Sequence, residues 1–445
     1  MTRAAIRSNP TRRGAVRRLI SALVAALLAP AAAAAAPWSD SAPLPGGGEG
    51  LMGSPALAFS PAGLGFVTTW GLDGWRQGIA IVREEPRAAS ALAAPPTPWA
   101  FIGRREIVAA TSVHRDRGRD LLQVGLATPG KRLRSVQTLA VGRTPSFDLD
   151  ASPRGTAAVA FTRHGRLYVS MRIPGARRFA RPIAVSGRAH ALPDPAVRVN
   201  GRGDVLLAWT APRPERSPGS PAYVMMARIV RADGRLSRLW RLGASNAHAR
   251  FAPAPSLAFT GDRRALVGWQ SGESTRVARV AYASSGGRFQ PTQTLETFDQ
   301  PVSMDRQSEP QIRVAFGSDG RGVAVWTGCC ATTRAVRAAP LAGARFGPVQ
   351  TLSQPGLDAN VDSLATGPRG EFVTSWTEGP VSVPRVVAAV RLGGGAAQWG
   401  PAELVADQAA GAQLAIDPVA RVVFAAFYPI PVTTGPLYAT REPLP

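Results

Sequence analysis

An all-β radial array of short four-stranded units is the fold class this sequence predicts, and three observations predict it. An aromatic closes an apolar run at nearly regular intervals, at Trp70, Phe161, Trp209, Trp269, Trp326, Trp376 and Phe427. A Gly-centred turn precedes those runs, as in GLGFVTTW, GRGDVLLAW, GRGVAVW and PRGEFVTSW. Gly and Pro also interrupt every stretch long enough to hold a helix, which removes the competing reading. Self-similarity at about 40–50 residues, with several short strands per copy, indicates a β-propeller or another radial array.

Each copy divides into four strands, A to D, separated by Gly, Pro, Asp or Ser turns. The sixth is the plainest, reading PQIRVAF, GVAVW, RAVRAAP and ARFGPVQTL. Its second strand places Val323 and Val325 on one face and Ala324 and Trp326 on the other, as suits a strand buried between neighbouring blades. Strand D carries its own marker, a large apolar residue followed six positions later by Leu or Val. It occurs as Leu133/Leu139, Phe179/Val185, Leu236/Leu242, Phe289/Leu295, Phe346/Leu352 and Trp399/Val405. An even separation keeps both residues on one strand face, so the pair is expected to form a single ridge against one adjacent blade.

The same marker stands once out of place, as Trp38/Leu44. The chain therefore begins with a lone strand D, while residues 411–441 supply AQLAID, RVVFAAF and PLYAT with no strand D after them. Joining the ends completes one blade from both termini and covers its exposed edge. The double interval from Trp70 to Phe161 holds a degenerate blade, PWAFIG, EIVAATSV, DLLQVGLAT and RLRSVQTLAV, without the aromatic. The count is then eight, with strands A starting near residues 54, 97, 145, 194, 255, 310, 361 and 411. Seven is the alternative, if residues 78–105 are an insertion.

Residues 1–36 read as a cleaved signal peptide, because an arginine-rich start precedes LISALVAALLAPAAAAAA and then polar sequence. Cleavage is expected within Ala31–Ala36. Thr11-Arg12-Arg13 resembles the start of a twin-arginine signal, with ordinary secretion as the alternative route. The propeller is expected over 37–441 and a C-terminal tail over 442–445. No other stretch reaches the ~18 apolar residues of a spanning helix, so the mature chain is expected to be monomeric and periplasmic or extracellular, with no transmembrane segment.

Removing the leader's six arginines from 52 basic residues leaves 46 against 29 acidic, a formal net of about +17. Such a surface favours anionic polymers. Lys131 is the only lysine, however, and the arginines are spread along strands and turns, as biased composition would leave them. They form no aromatic-interleaved groove, so specific nucleic-acid binding is not expected. The only cysteines, Cys329 and Cys330, are adjacent. They are either a strained vicinal disulfide or two incidental thiols, since neighbouring Cα atoms lie only ~3.8 Å apart.

No metal or cofactor motif accompanies the repeat. The four histidines show no ligand spacing, and neither HExxH nor GxSxG occurs. Arg202-Gly203-Asp204 falls in an A–B turn and is read as a turn. Chemistry is therefore sought in loops that break the repeat, on the face where B–C and D–A connections meet. The B–C loops supply Asp73, Trp75, Arg76, Glu273 and Glu378. The D–A loops supply His190, Asp194, His248, Arg250, Asp299 and Arg306 as binding residues, with Asp305 and Glu309 as the candidate catalytic pair.

The Gly turn, aromatic-ended strand B and W/F-x-x-P strand D resemble exported bacterial β-propellers of the sialidase-like and WD40-like kind. The resemblance covers most of residues 37–441 and implies a scaffold for binding. Asp-box turns of the form S-x-D-x-G-x-T-W, which a sialidase would carry, are missing; the nearest string, SDGRGVAVW, is spaced differently. The expected function is a non-enzymatic binding scaffold for a protein or anionic polysaccharide of the cell envelope, without a cofactor. The alternative is a carbohydrate-active hydrolase using loop carboxylates.

Overall fold

The computed structural model describes residues 38–44, 55–70, 76–82, 85–88, 98–113, 120–128, 134–142, 146–187, 195–212, 223–245, 255–272, 275–299, 311–330, 333–380, 382–391, 398–430, 437–441 and 444. Within Trp38–Pro445 the strands form eight antiparallel sheets, and no helix occurs among the described residues. The protein is an eight-bladed β-propeller. Strands A are Ala56–Phe59, Trp99–Ile102, Phe147–Ala151, Ala196–Val199, Ser256–Phe259, Ile312–Phe316, Ala359–Thr366 and Ala409–Ile416. Each begins within two residues of its expected start.

Blade 2 is the degenerate copy, with strands Trp99–Ile102, Glu106–Val113, Asp120–Ala127 and Arg134–Gly142. Blade 8 is the composite one. Its strands A to C are Ala409–Ile416, Val423–Pro429 and Leu437–Arg441, and Ala42–Pro43 is the fourth, with Ala42 opposite Tyr438. Trp38 bridges Arg441, Ser39 N–H donates to Thr440 O at 2.7 Å, and Thr440 N–H returns to Ser39 Oγ at 2.9 Å. At the other terminus Leu444, within the expected tail, is fully buried and donates its N–H to Arg421 O at 3.2 Å.

Buried apolar side chains of the described residues fall into eight clusters, one at each junction between consecutive blades. The junction of blades 8 and 1 includes Leu44 from the N-terminal strand. The aromatics ending strands B are packing residues: Trp209, Trp269, Trp326, Trp376, Phe161 and Phe427 are all buried. Each turns back onto the preceding blade, as Trp326 does in the cluster of blades 5 and 6. Trp70 lies in strand Gly65–Trp70.

The strand D marker behaves differently from expectation. Phe179 packs at the junction of blades 2 and 3, whereas Val185 packs at that of blades 3 and 4. Phe346 and Leu352, and likewise Trp399 and Val405, divide between two junctions in the same way. The cause is a break in strand D. In blades 5 and 6 it splits into Arg288–Phe289 with Gln293–Asp299 and Arg345–Phe346 with Gln350–Thr351, around Pro291 and Pro348, which have no N–H for the ladder. The break resets the face, so the two residues clamp opposite neighbours.

Candidate functional site

Most of the expected loop face lies outside the described residues: Asp73, Trp75, His190, Asp194, His248, Arg250, Glu273, Asp305, Arg306 and Glu309. Arg76 opens strand C of blade 1. Asp299 ends strand D of blade 5 and accepts a hydrogen bond from Thr275 Oγ1 at 2.8 Å. Glu378 is buried, with only 3% of its side chain exposed. Its carboxylate accepts Trp376 Nε1–H at 2.8 Å and Arg385 Nη2–H at 2.8 Å, so it anchors the end of strand B. Cys329 and Cys330 end strand B of blade 6, opposite Arg334 and Thr333, and their thiols lie outside the described residues. Asp204 of the Arg-Gly-Asp string is 2% exposed and paired with Arg263 at 2.7 Å, which keeps it in the turn.

The charged residues that the fold does bring together lie elsewhere, in the central channel. Strand A is the innermost of each blade, so its inner edge carries N–H groups with no ladder partner. Side chains of the preceding blade satisfy several of them. Asp148 Oδ2 accepts Val197 N–H at 2.8 Å, and Asp150 Oδ2 accepts Val199 N–H at 2.6 Å. Ser256 Oγ accepts Val314 N–H at 3.0 Å. Asp362 Oδ2 accepts Ala412 N–H at 3.3 Å, and Ser363 Oγ accepts Leu414 N–H at 3.0 Å. The carboxylates are thus fixed by backbone, which sets their direction without tying up every oxygen lone pair.

Two guanidinium groups share this channel. Arg198, on strand A of blade 4, donates to Val197 O at 2.8 Å and stands 4.0 Å from Asp148. Its side chain is 45% exposed. Arg313, on strand A of blade 6, donates its Nε–H to Asp362 O at 3.2 Å and another N–H to Gln311 Oε1. Together they line a cavity of about 460 Å³ whose wall also holds Asp148, Ser256, Ser363 and Gln413 among apolar Phe147, Leu257, Val314 and Leu364. Pro195 and Pro255, which immediately precede strands A, place it toward the D–A end of the channel. A second cavity of about 890 Å³ shares Asp148 and Arg198 and is lined by Phe59, Trp99, Phe101 and Ile416. Pro61, Pro153 and Pro418 place that one toward the A–B turns.

Burial dominates the electrostatics. It pushes Asp148 up despite Arg198 and the N–H groups of Val197 and Leu149, which pull the other way. Burial raises Asp150 to about 6, opposed chiefly by Arg198, and raises Asp362 to about 7, opposed chiefly by the Thr377 hydroxyl. Arg313 is pushed down by the same desolvation, with the nearby Arg198 cation adding to it and Asp362 opposing it. The chemistry available is recognition of an anion by two forks of N–H donors, beside carboxylates that change charge near neutrality. The described residues contain no group of three or more His, Cys, Asp or Glu placed to hold a metal ion.

Pattern reading passed over this cluster, although its signal is present. FDLDA, AVRV and IRVAF put charges into otherwise apolar inner strands, and ANVDSLAT carries Asp362 on another. A charge there is unusual unless it faces water or a ligand.

No protein-family model matches the chain, and no curated protein sequence matches it significantly. Among solved structures it is similar to the Dos1 propeller, with 8% identity and a TM-score of 0.49 over 93% of this chain and 96% of that one. It is also similar to an ulvan lyase, a polysaccharide lyase, at 9% identity and a TM-score of 0.45 over 90% of this chain and 98% of that one. A third is the β-propeller domain of the trilobed protease from Pyrococcus furiosus, at 10% identity and a TM-score of 0.41 over 78% of this chain and 95% of that one.

Proposed function

We propose that this propeller is an exported binding scaffold of the sialidase-like or WD40-like architectural kind. It holds an acidic envelope polysaccharide by placing one of its anionic groups in the central channel. The observation that carries the reading is the cavity at the D–A end, where Arg198 and Arg313 face one space whose wall mixes apolar side chains with Ser256, Ser363 and Gln413. A sugar ring presents the same mixture of apolar faces and hydroxyls, and a carboxylate matches the planar donor fork of arginine. The basic mature surface would draw such a polymer in. The arginine-rich leader supports export, and the mature chain acts as a monomer in the periplasm or outside the cell.

A hydrolytic reading is favoured by one observation, that Asp150 and Asp362 are held near neutrality, where a carboxyl group can exchange protons. An array of acidic and neutral glycans, scored for binding and for release of reducing sugar, separates the two. Binding of acidic glycans without release supports the scaffold. Release that is lost in Asp305→Asn, Glu309→Gln or Asp150→Asn supports the hydrolase.

A further inference from the structure

The inner strands bring two guanidinium and three carboxyl groups into the channel: Arg198, Arg313 and Asp148 line the first cavity, Asp148 and Asp150 the second, and Asp362 lies beside Arg313, whose Nε–H its backbone oxygen accepts. We infer that the channel is an acid-strengthened anion site: it holds a sugar carboxylate weakly in slightly alkaline medium and tightly in mildly acidic medium. The inference rests on the binding role proposed above and names its regulation.

The geometry carries it. With all five groups ionised, the inner strands bring three negative charges, on Asp148, Asp150 and Asp362, against two positive ones on Arg198 and Arg313. Asp148 competes directly for Arg198 at 4.0 Å, and the Asp362 charge acts on Arg313, whose Nε–H is bonded to Asp362 O at 3.2 Å. The other charges on the described strands packed against them are engaged elsewhere or stand at strand ends: Glu106 of blade 2 pairs with Arg134, and Arg334 and Arg337, on strand Thr333–Ala342 of blade 6, pair with Asp358 and Glu296. Strand A of blade 2, WAFI, has no titratable residue, and neither do SLAF of blade 5 and AAGAQLAI of blade 8. On strand B of blade 3 the one charged residue is Arg163, at the exposed far end. On strand B of blade 7 it is Glu378, already engaged by Arg385.

Protonation therefore removes the internal competitors and leaves the guanidinium groups unbalanced. Asp362, then Asp150, release their charge as the medium falls from slightly alkaline to mildly acidic, because burial has raised both. The hydrogen bonds they accept from Ala412 and Val199 persist, since a protonated carboxyl keeps an acceptor oxygen. A uronate carboxylate stays ionised across this range. The ring thus keeps its shape while the summed charge of the five channel groups turns from negative to positive.

The test is isothermal titration of the full mature protein with a uronic-acid oligosaccharide and with its carboxyl-reduced neutral counterpart, at about pH 8 and about pH 5.5 and fixed ionic strength. The expected result is affinity for the acidic chain about tenfold or more tighter at the lower pH, with no binding of the neutral one. Asp362→Asn should bind at the higher pH more tightly than wild type and lose much of the pH dependence. An affinity that is equal or weaker in acid, or a pH dependence untouched by Asp362→Asn, overturns the inference while leaving the binding role standing. Equal binding of the neutral chain, or binding of neither chain, overturns both. A sulfated, carboxyl-free oligosaccharide behaving like the uronate would keep the site and widen its ligand to sulfate.

Discussion

Asp362 and its two companions in the channel are raised carboxyls, and this has a consequence for stability as well as for binding. The folded chain holds a proton on Asp362 up to about pH 7, whereas an unfolded chain releases it near the ordinary value of 3.8. Between those values the folded state binds the extra proton, so this contribution is complete in acid and is lost as pH rises through about 7. Asp204 and Asp358 act in the opposite sense. Hydrogen bonds and charge from Arg263 and Arg334 hold them down, so their contribution is lost as pH falls below the ordinary carboxylate range. Asp362→Asn keeps an acceptor for Thr377 and Ala412 and removes the buried charge. Its melting temperature should rise by a few degrees at about pH 8 and by clearly less at about pH 5, read by calorimetry. A loss of equal size at both would show that the carboxyl is needed for a hydrogen bond the amide cannot make.

At the scale of the strand, a side-chain clamp recurs along the outer rim. Gln293 accepts Phe346 N–H at 2.9 Å and donates to Phe346 O at 3.2 Å, and Gln137 makes the same pair with Phe179 at 2.9 and 3.1 Å. Gln350 repeats it on Trp399 at 3.0 and 3.4 Å. One amide thus replaces the ladder where strand D of the next blade is broken by proline. Gln293→Ala should cost about 1–3 kcal/mol in urea unfolding, because two backbone groups of blade 6 lose their partner. The string Q-T-L stands in the sequence at all three places, so the clamp was legible as a repeat but not as a contact. Legibility followed physical necessity. Trp209, Trp269, Trp326 and Trp376 recur because each junction needs a large filler, and their spacing located the blades. The split of Phe179 and Val185 between two junctions was hidden, since a proline break resets the alternation that strand parity assumes. The charges of FDLDA and AVRV were visible as residues, but which way they point depends on closing the ring.

The whole molecule depends on that closure. Eight junctions share the apolar core, and one of them is completed by Leu44 and the strand Ala42–Pro43. Without this segment blade 8 has an unpaired outer edge on Leu437–Arg441, and the junction with blade 1 loses a buried leucine. A chain lacking residues 37–46 should melt at a clearly lower temperature, and an unchanged melting temperature would contradict the clasp. The same closure turns the strands A inward, creating the channel where the binding role is placed. That role is tested most directly by titrating a uronic-acid oligosaccharide into wild type and Arg198→Ala. The account predicts saturable binding by wild type and its loss in the variant, measured below the variant's own cooperative melting transition. Equal affinity of the two proteins would contradict it and move the site out of the channel to the loops.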